Sequence, residues 1–335
     1  MVGKGLTQLH PSVDIRFKWI ESRGDQVTDR ALAGEGGKGL FTTAVERAVL
    51  DGHADVAVHS FKDVPVRPTP GLALAATPRR ADVRDCLIPR DPNVRSLDDL
   101  PEAAVVGTSS PRRAAQVKRR RPDLDIRLIR GNVETRLSKV IGDPDSADDA
   151  PPPLYDATLL AVAGLTRLRL QQHADRPIDP DLMLPAASQA ALALYCRTDD
   201  HVTLTRCLPL NNAATSTAVH AERRLVELLA GDCDSSIAAL AEPTAPPTGE
   251  AHRNADAHWF RFRGRVFAPD GSTVLEADHT VRTRELPRLV KRIAADFDQR
   301  GARDLLAQAR HQSVIAPPPQ PASPPHPAPA DTPYR

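Results

Sequence analysis

Several features that would place a chain in a common class are missing from this one. Its four cysteines, Cys86, Cys196, Cys207 and Cys233, form no C-x-x-C pair. That argues against a metal knuckle or a disulfide scaffold and suits a reducing cytoplasm. No run of about 18 apolar residues occurs, so no stretch reads as a membrane span. The N-terminus, Met1-Val2-Gly3-Lys4-Gly5-Leu6, lacks the apolar core of a signal peptide. The net charge is only +1, which gives no global field favouring nucleic acid or a membrane surface. What is left is a chain of 335 residues, long enough for two or three domains with ample core.

Its charge is nevertheless uneven. Arg112, Arg113, Lys118, Arg119, Arg120, Arg121, Arg127, Arg130, Arg136 and Lys139 fall in one segment. The run from Lys118 to Arg121 lies at a helix end, where cations suit the helix dipole, and no aromatics interleave it. It reads as a solvated face rather than a nucleic-acid surface.

The other cations stand at junctions. Ala54-Asp55-Val56-Ala57-Val58 reads as a short buried strand, and His59-Ser60-Phe61-Lys62-Asp63-Val64-Pro65 follows as a polar turn. This places Ser60, Lys62 and Asp63 at the carboxyl end of a strand, where open α/β sheets bind ligands. Upstream, Gly36-Gly37-Lys38-Gly39 is a glycine-rich loop that lets backbone approach an anion closely, with Lys38 adding charge. A helix from about Leu40 to Leu50 follows. Downstream, Val105-Val106-Gly107 is a strand, and Thr108-Ser109-Ser110 caps the helix behind it, with Pro111 at its first position. Arg112 and Arg113 then sit in a first turn, against the dipole. Some other need must hold them there, and binding a carboxylate is such a need. Leu124 to Ile129 is a further strand; it delivers Arg130 and Gly131, with Arg136 across the next helix start. Guanidinium forks match carboxylates bidentately, so several junctions of this kind imply a ligand with several carboxylates.

Further along, Val13 to Ile20 alternates and predicts a half-exposed strand, and Gly71 to Ala76 predicts another. Gly142 to Pro153 reads as an inserted surface loop. Ala157 to Ala161 predicts a buried strand, followed by a helix from about Ala163 to Gln172. Thr217 to Ala230 predicts a helix, His258–Phe267 and Ser272–Leu275 a hairpin about Pro269-Asp270-Gly271, and Arg288 to Phe297 an amphipathic helix. Beyond about Ala316 the chain is rich in Pro and Ala and is expected to be disordered.

The four stretches Gly36–Gly39, Val58–Pro65, Gly107–Arg113 and Arg130–Arg136, in this order, resemble the porphobilinogen deaminase (hydroxymethylbilane synthase) family. The resemblance runs from about Ile20 to about Leu305, through Leu159–Leu165 to a cysteine loop at Leu229–Cys233. It implies an α/β fold: two domains like type II periplasmic binding proteins, with two crossings between them, plus a small C-terminal α+β domain. The boundaries it suggests are 1–84 with 182–200, 85–181 and 201–312, leaving 313–335 as a disordered Pro-rich tail. It implies a cytoplasmic, monomeric transferase of haem biosynthesis that condenses four porphobilinogen molecules to hydroxymethylbilane and releases ammonia. A dipyrromethane cofactor would be held on Cys233 through a thioether. Asp63 would be the catalytic carboxylate. Lys38, Ser60, Lys62, Thr108, Ser109, Ser110, Arg112, Arg113, Arg130, Gly131 and Arg136 would hold acetate and propionate groups. No metal, nucleic acid or membrane is implied.

The sequence departs from that pattern in places. The strand and the Arg- and Ser-bearing turn with which the family begins have no counterpart; residues 1–12 resemble only the end of its first helix. Ser188 and Ala190 stand where the family has glycines on either side of Gln189, so a positive φ there would be strained. Asp232 replaces a glycine, and with Asp234 puts two carboxylates beside the Cys233 thiol. A degenerate homologue that holds an anionic ligand without catalysis is the alternative from a binding class, and a plain solute-binding protein a second.

Overall fold

Short apolar runs bounded by polar turns build three separate sheets in the computed structural model, which describes residues 1–20, 43–142, 153–231, 235–247, 258–311 and 314–319. Helix α1 (Val2–Leu9) precedes α2 (Thr43–Leu50), and α2 leads into the first sheet. That sheet comprises β1 (Ala57–Ser60), β2 (Leu72–Ala76) and β7 (Leu192–Arg197) in the order β1-β7-β2, antiparallel throughout. Since β7 lies more than a hundred residues beyond β2, the chain leaves this sheet and returns to it.

In between it builds a second sheet from β3 (Asp85–Pro89), β4 (Val105–Gly107), β5 (Asp125–Arg127) and β6 (Ala157–Ala161), ordered β3-β6-β4-β5. Here β4 runs parallel to both β5 and β6, while β3 is antiparallel. Parallel neighbours need crossovers, and α3 (Pro111–Arg120) and α4 (Val133–Ile141) supply them. Helix α5 (Val162–Arg167) follows β6 directly. Val106, Val117, Leu124 and Leu159 form the core of this unit.

Helix α6 (His201–Cys207) packs back against β2 and β7 of the first sheet, so the third unit begins later than the expected residue 201. That unit holds α7 (Ala213–Leu228), the antiparallel sheet β8 (Ile237–Thr244), β9 (Trp259–Phe267) and β10 (Val274–Arg282), then α8 (Leu286–Gln299) and α9 (Ala302–His311). Leu225, Phe262, Val290 and Phe297 lie fully buried between its helices and its sheet. The chain is thus a mixed α/β protein. No described helix is long and apolar enough to cross a membrane.

Two strand-like segments differ from their sequence pattern. Val13–Ile20 forms no strand, and Phe17 and Trp19 are 73% and 93% exposed. An alternating segment becomes a strand only when another strand pairs with it, and among the described residues none does. The strand expected at Ala54–Val58 begins three residues later, at Ala57. The helix expected to reach Gln172 ends at Arg167, where Arg169 adopts a left-handed φ of 61°. Residues 314–319, counted with the disordered tail, instead run beside β5, with Ala316 bridged to Arg127.

The two crossings are tied together. Arg80 Nε donates to the Gln189 carbonyl (2.7 Å), and Gln189 Nε2 donates to the Val83 carbonyl (2.8 Å). As the sequence warned, Ser188 and Ala190 both carry positive φ, 64° and 69°.

Candidate functional site

The Lys62–Asp63 pair sits on a single 3-10 turn, Phe61–Asp63, immediately after β1. Phe61 is buried and anchors the turn. From α7, Arg223 stacks its guanidinium 4.5 Å from the Phe61 ring centroid. It also donates to the carbonyls of Phe61 (3.2 Å), Val64 (3.0 Å) and Pro65 (2.5 Å). The third unit thus fixes the turn that presents Asp63. The Asp63 side chain is exposed, and among the described residues no donor engages its carboxylate. Burial lowers the pKa of half-buried Lys62, with Asp63 opposing that shift. His59, one residue before Ser60, is buried, and its Nε2 has no partner among the described residues; burial lowers its pKa, with Glu46 and Asp63 opposing that shift.

At the start of α3 the expected cap is present. Ser110 is the N-cap and accepts from the Arg113 N–H (3.4 Å), with Pro111 behind it; Thr108 Oγ1 accepts from the Ser110 N–H (3.1 Å). Thr108 is buried, and Ser109 and Ser110 are partly so. Arg112 and Arg113 point inward and are 3% and 6% exposed. The carboxylate they hold is the chain's own Asp85: Arg112 Nη2 lies 2.8 Å from its Oδ2, and Arg113 Nη2 2.7 Å from its Oδ1. Their other arms donate to the carbonyls of Leu184 (2.7 Å) and Leu159 (2.8 Å). Gln189 Nε2 adds a further bond to Asp85 Oδ1 (3.0 Å). The need inferred for a carboxylate at this helix start is therefore met first inside the protein.

After β5 the chain reaches Arg130, whose buried Nε has no partner among the described residues, and Gly131, whose φ is 112°. A Cβ on Gly131 would come within 2.6 Å of Thr135 Cγ2, so only glycine fits this turn. Asn132 then caps α4, accepting from the Thr135 N–H (2.8 Å). Arg136 Nε returns to the Gly131 carbonyl (2.8 Å). Burial pushes the Arg136 pKa down to about 10, and Arg113 and Arg130 add to the shift while Asp63 opposes it.

These groups share one electrostatic field. Asp63 acts on Lys62, Arg136 and Arg167, while Arg113 acts on Lys62 and Arg136. Among the described residues, Asp63 and Asp85 are the carboxylates that act on Lys62, Arg112, Arg113, Arg136 and Arg167. Lys38 and Cys233 lie outside the described residues. The three described cysteines are buried, and burial pushes the Cys86 and Cys207 thiols up to about 11, so neither is poised as a thiolate.

Sequence reading missed four groups. Asp85 stands in no motif that the sequence offers. Arg167 closes α5 and donates to the Ala190 carbonyl (2.7 Å). Arg223 and Glu222 lie within the helix expected from Thr217 to Ala230. An Arg or Glu among buried helix positions was the available signal for the last two.

The class these features define is a mixed α/β protein with a cation-rich field at its strand ends. Comparison with known proteins narrows that class. The family model described as "Porphobilinogen deaminase, dipyromethane cofactor binding domain" matches residues 1–205. A curated porphobilinogen deaminase of Paraburkholderia phytofirmans is 40% identical over 304 residues, covering 90% of this chain and 82% of that protein. This chain belongs to the porphobilinogen deaminase family. A solved structure, a YaeC-family lipoprotein of Enterococcus faecalis, is 15% identical and covers 51% of this chain and 76% of its own at a TM-score of 0.26, which carries no argument.

Proposed function

We propose that this protein is a transferase that condenses four porphobilinogen molecules stepwise into hydroxymethylbilane, releasing one ammonia for each. The observation that carries the reading, beside the family, is the presentation of Asp63: an exposed carboxylate at a strand end, engaged by no described donor and set among cations.

Cleavage of the C–N bond of the porphobilinogen aminomethyl group expels ammonia, which must leave protonated, and leaves a cationic methylene-pyrrolenine. A fixed carboxylate stabilises that cation and accepts hydrogen bonds from pyrrole N–H groups, the electrostatic contribution that usually dominates catalysis. It also serves in proton transfer to the leaving nitrogen. Asp63 has this role. The acetates and propionates fall to Lys38, Lys62, Arg130 and Arg136, with Ser60, Thr108, Ser109, Ser110 and the Gly131 turn as neutral donors. Arg112 and Arg113 contribute charge that Asp85 only partly offsets.

The dipyrromethane cofactor fits this residue set: Arg112 Nε and Arg130 Nε are buried donors with no acceptor among the described residues. When bound, it supplies the pyrrole carbon to which the first substrate unit is joined. Cys233 is the attachment point carried over from the family. The finer architecture belongs to the same proposal: two domains resembling type II periplasmic binding proteins, 1–84 with 182–200 and 85–181, and a cofactor-bearing domain from α7 to residue 312. A cytoplasmic monomer is part of it as well.

The test is the intact mass of the purified protein beside a Cys233→Ser variant, with hydroxymethylbilane formation assayed on both. A mass increase of two linked pyrrole units, absent from the variant, together with turnover, establishes the reading. An unmodified and inactive protein overturns it in favour of a non-catalytic homologue that binds an anion.

A further inference from the structure

Strand β5 closes one side of the second sheet and has a single strand neighbour, β4. An edge strand presents a row of unmet N–H and C=O groups. Here that edge is covered by chain arriving from the third unit. The Ala316 N–H donates to the Ile126 carbonyl (2.9 Å), and the Ala316 carbonyl accepts from the Leu128 N–H (2.8 Å). Val314 and Ile315 pack against the cluster that contains Leu124 and Ile126.

Leu128 is thereby held on both sides, since its carbonyl accepts from the Tyr155 hydroxyl (2.7 Å). Two residues further on stands Arg130. Its carbonyl accepts from Lys139 Nζ (3.1 Å), and the Gly131 carbonyl accepts from Arg136 Nε (2.8 Å). The strap's bonds thus end at Leu128, and the two backbone steps through Ile129, which is fully buried, carry that restraint to the turn that holds Arg130 and Arg136. Backbone left unpinned at its start regains conformational entropy, which binding would have to remove again.

We propose that residues 314–316 form a strap from the third unit that completes the second sheet and positions the Arg130–Arg136 turn for anion binding. The strap belongs to this chain's own C-terminal segment. Its ligand half rests on the function proposed above; its structural half does not.

Two variants test it: a chain ended after His311, and Ala316→Pro, which removes the N–H given to Ile126 but keeps the segment. Each is compared with the full chain by amide hydrogen exchange over residues 128–136 and by KM and kcat for porphobilinogen. In the truncated chain, protection at Leu128 falls about tenfold, and protection at Thr135 and Arg136, whose N–H groups donate to Asn132, falls with it. KM rises several-fold while kcat stays within about twofold. Ala316→Pro shows the same pattern in smaller measure and decides the matter if the truncated chain does not fold. Unchanged protection at Thr135 and Arg136 overturns the proposal. So does lost protection with unchanged KM, which would make the segment an edge cover only. If the full chain itself shows no turnover, the functional reading falls, and exchange at Thr135 and Arg136 still judges the strap.

Discussion

Glu222 grips Arg80 by both arms, with Oε1 2.6 Å from Nη1 and Oε2 3.0 Å from Nη2. The same carboxylate accepts from the Ser188 N–H (2.6 Å) and the Ala241 N–H (2.8 Å). One fully buried side chain of α7 thus joins the first crossing, the second crossing and β8. Removing one member of a buried ion pair leaves its partner charged and unmatched, which costs about 3–5 kcal/mol. Glu222→Ala is expected to destabilise by that amount, and Glu222→Gln by less because it keeps two acceptor contacts. Urea unfolding at unchanged slope measures both. A loss below about 1 kcal/mol in the alanine variant would mean that the latch is not structural.

Asp85 gives a prediction with a sign. Burial alone would raise its pKa, but the Arg112 and Arg113 guanidiniums, with Lys62, outweigh burial and hold the carboxyl well below the usual carboxylate range. A group whose folded pKa is depressed contributes stability that is fully present above its unfolded pKa, about 4 for Asp. That stability drains away as the pH falls below about 4 towards the folded value. Asp85→Asn removes the contribution and leaves two buried guanidiniums without a counter-charge. It is expected to cost about 3–5 kcal/mol at pH 7. The gap to the unsubstituted protein should narrow as pH drops below about 4. Unfolding curves at pH 7, 5, 4 and 3 separate this from a pH-independent offset, which would rule out the linkage.

The contrast between Asp63 and Asp85 marks what the sequence could disclose. The turn that carries Asp63 was legible because its evidence is local: an apolar run, a Lys-Asp pair and a closing proline within a dozen residues. The α3 start was legible for the same reason, through Ser110 and Pro111. Asp85 was not, because its partners Arg112 and Arg113 lie 27 and 28 residues away. No periodicity announces which carboxylate a folded chain will bring to which arginine. Strand β8 was missed for a related reason. Ile237 to Ala241 is buried throughout with no alternation, and its pairing with β9 makes it a strand. Val13–Ile20 is the converse case, a good alternating pattern without a neighbour to pair with.

Asp63 itself makes no structural bond among the described residues, so replacing it should cost activity and spare the fold. Asp63→Ala and Asp63→Asn are expected to slow ammonia release by about 10²–10³, the scale of losing one preorganised electrostatic group. Asp63→Glu keeps the charge at altered reach and should fall between. Thermal unfolding of all three should stay within about 0.5 kcal/mol of the parent, as for an exposed side chain. Single-turnover ammonia release with porphobilinogen measures the first effect. Full turnover in Asp63→Ala would remove this residue from the chemistry.

The second crossing is the place where substitution should improve stability. Ser188 and Ala190 hold φ of 64° and 69°, where a Cβ crowds the following carbonyl. That costs about 1–2 kcal/mol per residue. Glycine removes the crowding and gives back about 0.4–1 kcal/mol through a freer unfolded chain, for a net gain of roughly 0.5–1 kcal/mol. The two sites should not respond alike. Ser188 Oγ is buried without a partner among the described residues, so Ser188→Gly also removes an unmatched hydroxyl while its N–H to Glu222 survives. Ala190 has a buried methyl group to lose, and its backbone carbonyl keeps its bonds from the Ala81 N–H and Arg167. Ser188→Gly should therefore raise Tm more than Ala190→Gly, and denaturant unfolding should rank them in the same order. A destabilised Ser188→Gly would mean that the left-handed backbone at this crossing is not strained by its side chain, and that glycine here only loosens the connection between the two sheets.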